Sequence, residues 1–201
     1  FADDWLAPHP GSDSAVAQAM TYVILDEFYH KHPVDRFIKY SKQYTDLPFI
    51  VELEPSAANQ GHWTAGRFVR ISDLRDDDSI VNPAWQTVVY DKNSQRFVVP
   101  NGTMGQKYDP KAKWNLELSD ADGHAIDPAL SIEEQGSATV QGTIDFPAFS
   151  NQGNDVVVRH IPVKKVRFTD GQDHYVTNVY DLMMAQMGIN RTGHDELAAK
   201  D

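Results

Sequence analysis

The apolar residues of this chain change their period near residue 50, and that change limits the folds open to it more than any other feature. Before it, Ala15, Val16, Ala19, Met20, Val23, Ile24 and Phe28 recur at spacings of three and four. Such spacing predicts one buried face of a helix over about 14–30. His9-Pro10-Gly11-Ser12-Asp13 supplies turn chemistry ahead of it, with Ser12 placed to cap and Asp13 suited to the positive end. Pro33 stops this helix and opens a second over about 34–44, with Phe37, Ile38, Tyr40, Ser41 and Tyr44 along one side. Beyond that point the apolar residues come in short runs. Phe49-Ile50-Val51, Trp63 to Arg70, Trp85 to Tyr90, Arg96 to Val99, Trp114 to Leu118, Val156 to Ile161 and Pro162 to Phe168 read as strands. Asp91 to Gln95, Asn101-Gly102, Asp122-Gly123 and Asp170-Gly171 read as turns, and His174 to Thr177 as a further extended run. A last helix over about 179–187 ends at Gly188, before a polar tail.

Helices first, many strands next and one helix last is an α+β order, not an alternating βαβ one. The expected division is 1–50 as a helical hairpin with a loop at its start, 51–178 as a β-rich region of short antiparallel strands, and 179–201 as the C-terminal helix and tail. At 41% hydrophobic and 23% charged residues the chain has the balance of a folded protein. Its net charge of -11 disfavours nucleic acid as a partner, since that needs clustered Lys and Arg. The absence of cysteine removes disulfides, a thiolate nucleophile and cluster ligation from within these residues. No apolar run approaches the ~20 residues of a membrane span. Phe1-Ala2-Asp3-Asp4 has neither an initiator Met nor a signal pattern, so the chain reads as cut from something larger.

Generic motifs assign no chemistry. Asp26 and His30 stand one helical turn apart and can share a metal, but no third ligand follows at a recognisable spacing. A solvated helix end, with His30 against the negative C-terminal dipole, is the simpler reading. There is no His-Glu-x-x-His, Gly-x-Ser-x-Gly or phosphate-loop pattern. Asn101-Gly102-Thr103-Met104-Gly105 lacks a Lys and reads as a tight turn, and Asp76-Asp77-Asp78 as a solvated loop. Trp5, Trp63, Trp85 and Trp114 are expected as core or sheet anchors. No catalytic residue and no metal ligand is named on this basis.

One segment carries more. Ala2-Asp3-Asp4-Trp5-Leu6 followed by Pro10-Gly11-Ser12-Asp13-Ser14-Ala15 resembles a stretch shared by the molybdopterin guanine dinucleotide oxidoreductases. Tyr44-Thr45-Asp46-Leu47-Pro48, Asn82-Pro83-Ala84-Trp85-Gln86, Pro100-Asn101-Gly102-Thr103-Met104-Gly105, Pro162-Val163-Lys164-Lys165-Val166 and Val176-Thr177-Asn178-Val179-Tyr180 narrow the likeness. In order and spacing they are similar to the catalytic, alpha, subunit of the respiratory nitrate reductases over about residues 2–191. The resemblance implies a piece of an enzyme that reduces nitrate to nitrite. It implies molybdopterin guanine dinucleotide with molybdenum, and an iron–sulfur cluster, held by the intact subunit. It also implies an iron–sulfur beta subunit and a membrane gamma subunit as partners, at the cytoplasmic face of the cell membrane. The family's molybdenum-ligating Asp and cluster ligands fall in segments this chain does not contain, so the piece alone is expected to be inactive. Gly11, Ser12 and Asp13 match the Pro-Gly-Thr-Asp segment that lies against a guanine dinucleotide, with Ser in place of Thr. Two readings stay open for them: cofactor contacts in the intact enzyme, or caps of the first helix. The corresponding alternative for the whole piece is a structural or subunit-contact module. Apolar area uncovered by the missing neighbours is expected to let the piece self-associate.

Overall fold

The computed structural model describes residues 7–102, 117–135, 139–148 and 155–189. Helix α1 (Asp13–Leu25) runs into a π-wound turn over Asp26–Lys31, where the His32 amide reaches back five residues to the Glu27 carbonyl. Val34 then leads into α2 (Asp35–Tyr44), so the helical hairpin forms as its periodicity predicts. Its burial does not. Of α1 only Leu25 is buried, while Met20, Val23, Ile24 and Phe28 stay 41–55% exposed, because no described element lies over that side. The inner side of the hairpin is Leu25, Tyr29 and Ile38, packed with Leu47, Leu130, Tyr180 and Met184. Ser41 is buried there and meets the Tyr29 hydroxyl at 2.9 Å.

Five strands close into a barrel in the order β1 (Ile50–Pro55), β2 (Trp63–Phe68), β5 (Val140–Pro147), β6 (Val156–Arg167) and β7 (Asp173–Asn178), with β7 returning to β1. Four of the contacts are antiparallel, as the α+β reading expects; the fifth, β2 with β5, is parallel and consists of Trp63 opposite Ile144. Val51, Leu53, Ile144, Phe146, Ile161 and Val163 form one apolar cluster, with Trp63, Phe68 and Tyr175 against it, so every strand of the barrel contributes. Helix α4 (Val179–Gln186) adds Leu182 and Ala185 to it and ends at Gly188, whose φ of 72° is the left-handed stop that a glycine accepts. A short helix α3 (Ile71–Leu74) and the hairpin of β3 (Val89–Asp91) with β4 (Arg96–Val98) pack on the other side of β1, around Ile50, Val69, Val88, Tyr90 and Ile132.

Several sequence expectations shift. The runs on either side of Pro162 are one twelve-residue strand, not two. Pro162 sits where pairing with β7 has not yet begun, and its carbonyl accepts from the Thr177 hydroxyl at 2.9 Å, so the missing N–H costs no ladder bond. The run expected from Trp85 becomes a strand only at Val89, because left-handed Asn82 and Pro83 start a 3-10 turn that ends at Trp85. Trp85 is 75% exposed and joins no core cluster among the described residues; Trp63 does pack, 4.8 Å from the Tyr175 ring. Trp5, most of the run from Trp114 and the tail from Asn190 lie outside the described residues, while Leu118 is not in a strand. Asp122-Gly123 does turn the chain, with Ser119 bridging Ala125. Strand β5 was not expected at all. Among the described residues no helix is long and apolar enough to cross a membrane.

Candidate functional site

The loop that starts α1 is built by Gly11, whose φ of 87° suits no residue with a Cβ, and open space surrounds the position such an atom would take. Turning there brings the Ser12 amide to the His9 carbonyl at 2.9 Å. The Ser12 hydroxyl donates to the same carbonyl at 2.7 Å. Ser12 does not cap the helix with its side chain, contrary to the sequence expectation: its hydroxyl is turned back toward the His9 carbonyl and accepts from no helix amide among the described residues. The first backbone bonds of the helix, from Ala15 and Val16, go to the Ser12 carbonyl. This leaves the amides of Asp13 and Ser14 without a partner among the described residues, at the positive end of the helix. Gly11 and Asp13 are exposed and Ser12 half-buried, and the Asp13 carboxylate meets no cation among the described residues. Together with Ser14 the three residues thus share one edge that offers two N–H donors, from Asp13 and Ser14, and one carboxylate acceptor.

The other candidates from the sequence are brought to different ends. Asp26 is taken by Lys31, 2.5 Å from its carboxylate, and the π winding of this turn removes the helical register in which Asp26 and His30 share a face. Asp120, Asp122 and His124 present ligand atoms within 4.8 Å of one another, on the turn at Gly123. Asp120 already accepts from the Asp122 and His124 amides, which explains the cluster as a turn closure.

Two polar centres were not legible in the sequence. Asp145 of β5 is buried and accepts from Ser56 Oγ at 2.5 Å, His62 Nδ1 at 2.7 Å and Asn59 Nδ2 at 3.1 Å, all on the loop between β1 and β2. Burial pushes its pKa up, but the three donors outweigh this and hold the carboxyl below the usual carboxylate range. His174 of β7 lies between Glu52 at 2.6 Å and Asp170 at 2.9 Å, one on each ring nitrogen, and stacks on Phe168. Burial works against its proton, yet the two carboxylates prevail and raise its pKa. Glu52 also pairs with Arg67, which forks onto Asp73 at 2.6 and 3.0 Å. Each centre ties separate parts of the barrel together: the β1–β2 loop to β5 at Asp145, and β1 to β7 at His174.

No family model matches the chain. Individual relatives do. It is 43% identical over 192 residues to the nitrate reductase alpha chain of Bacillus subtilis, a match that covers 95% of this chain and 15% of that one. It is 42% identical over 209 residues to the respiratory nitrate reductase 2 alpha chain of Escherichia coli, covering 100% and 16%. The chain belongs to the nitrate reductase alpha-chain family. The respiratory nitrate reductase 1 alpha chain of Escherichia coli gives 37% over 206 residues, covering 97% and 16%. The chain therefore spans about one-sixth of the length of these alpha chains. Because the second match runs over the whole of it, the loop at Gly11 to Asp13 falls inside the shared region.

Proposed function

We propose that this chain works as one segment of a full-length alpha chain that reduces nitrate to nitrite, and that Gly11, Ser12 and Asp13 face a molybdopterin guanine dinucleotide there. The observation that carries this reading is the end-to-end likeness to alpha chains. When bound, the cofactor supplies the molybdenum at which oxygen-atom transfer takes place. The residues of the loop fit it in kind. Gly11 leaves room for close approach of a ligand to the backbone. The free amides of Asp13 and Ser14 suit an anionic or acceptor group. The Asp13 carboxylate suits the donor edge of a guanine, in a charge-assisted hydrogen bond. No residue of this chain is assigned to the reaction itself. The wider assembly follows the same reading: an iron–sulfur cluster elsewhere in the alpha chain, iron–sulfur beta and membrane gamma subunits, and a place at the cytoplasmic face of the membrane.

Asp13→Ala in the full-length alpha chain tests the assignment. Loss of a charged acceptor from a buried cofactor donor costs about 1–3 kcal/mol, or roughly fivefold to 150-fold in affinity. Guanine dinucleotide content of the purified variant should fall while its folding stability barely moves. Full content with lowered stability makes Asp13 a helix-end residue, and leaves the segment as a structural or subunit-contact module of the same enzyme.

A further inference from the structure

Exposed large apolar residues are not spread over this chain; they crowd onto its helical hairpin. Met20, Val23, Ile24 and Phe28 recur at spacings of three and four along the first helix and its π-wound turn, and Phe37, Tyr40 and Tyr44 do the same along the second. Phe28 and Phe37 meet with ring centroids 5.9 Å apart, which links the two stripes, and Tyr40 meets Tyr44 at 5.2 Å within the second. We infer that this face is a docking surface inside a full-length alpha chain, covered by a segment of the same polypeptide that lies outside residues 1–201. The inference rests on the proposed function for the existence of that longer chain.

Three observations favour this occupant. First, α1 is a thirteen-residue helix that buries one residue, Leu25. Helices of that length are marginal in water by themselves, so its winding needs tertiary cover that the described residues do not give. Second, the alignments leave more than four-fifths of each relative's length outside the match, ample material for the cover. A tethered segment also meets the face at high effective concentration. Third, a second copy is the weaker occupant, because each copy carries a net charge of -11 and two of them repel. The face itself is apolar with tyrosine hydroxyls, which calls for an uncharged, largely hydrocarbon counterpart.

Amide hydrogen exchange compares the full-length alpha chain with the 201-residue chain under one set of conditions, the amides of β5 and β6 serving as reference. The expected result is exchange on the order of 100-fold slower for residues 16–28 and 37–44 in the full-length protein, with the reference strands alike in both. Val23→Asp should return residues 16–28 of the full-length protein toward the fast rate, while leaving the urea midpoint of the 201-residue chain unchanged. Equal exchange of the hairpin in the two proteins overturns the inference. So does protection in the 201-residue chain that grows with its concentration and reaches the full-length value, which makes a second copy the occupant. Guanine dinucleotide content, read on the same preparation, separates this outcome from the fate of the proposed function: full content with a fast-exchanging hairpin sinks only the docking surface. Should Val23→Asp fail to fold, the comparison of the two unaltered proteins still decides.

Discussion

Replacing Asp145 by Ala should remove the clip that ties the loop between β1 and β2 to strand β5. The side chain of Asp145 is 2% exposed and accepts three hydrogen bonds from side chains on that loop. A hydrogen bond to a charged group contributes about 1.5–3 kcal/mol. Ser56, Asn59 and His62 are only partly buried and can turn to water once the acceptor is gone, which puts each at or below the low end. The sum is about 3 kcal/mol of lost stability. With a urea dependence of roughly 2 kcal/mol per molar, the midpoint falls by about 1.5 M. The effect has a pH signature. Asp145 has a folded pKa held below its unfolded value, so its contribution is present above that unfolded value, about 3.9, and is lost as pH falls through the folded one. Urea titrations of the chain and of Asp145→Ala at neutral and at acid pH should show a gap that closes in acid. A gap under about 0.5 kcal/mol at neutral pH would refute the reasoning, as the clip would then contribute less than one ordinary hydrogen bond. A gap equal at both pH values would refute it too, because the loss could not then come from the ionised acceptor.

Gly142→Ala places a Cβ 2.7 Å from Val163 Cγ1, inside the apolar cluster of the barrel, and should cost about 1–3 kcal/mol in a denaturant titration with unchanged slope. His174 has a raised folded pKa, so its stabilisation is full below its unfolded value near 6.5 and is lost as pH rises through the folded one. His174→Gln should therefore flatten the fall of the urea midpoint on the alkaline side, and an equally steep fall in the variant would assign that dependence elsewhere. The double salt link from Arg67 to Asp73 is half-exposed, so Arg67→Ala should shift the thermal midpoint by no more than about 1 kcal/mol equivalent, less at high salt.

The parts of the fold that the sequence displayed are those where one local rule acts alone. The helical hairpin follows from spacing and Pro33, the β3–β4 hairpin from its turn residues, and the end of α4 from Gly188. The parts it concealed are those where distant residues decide. Strand β5 carries Gly142 and buried Asp145 in place of a clean alternation, because its neighbours Val163 and the loop at Ser56 to His62 claim those two sites. Met20, Val23 and Phe28 display the pattern of a buried face without the cover, since periodicity reports which side is apolar and not what lies against it. At the candidate site, Gly11 was legible as a turn residue, whereas Ser12 gave a false lead. A hydroxyl before a helix serves equally as cap acceptor or turn donor, and only the position of the His9 carbonyl selects between them.

The barrel is not equally closed all the way round. Between β5 and β6 eight residue pairs stand in register, whereas β2 and β5 touch through Trp63 and Ile144. Ser56, Asn59 and His62 on one side and Asp145 on the other bridge this same gap, so a side-chain carboxylate does there what main-chain ladders do elsewhere. The circle is thus a curled ribbon with a latch. When the latch is released the ribbon has two free margins, β2 and β5, whose unpaired amides and carbonyls can recruit another strand. The join also links positions more than eighty residues apart, so closing it costs chain entropy that the pairing of β6 with its neighbour β7 does not.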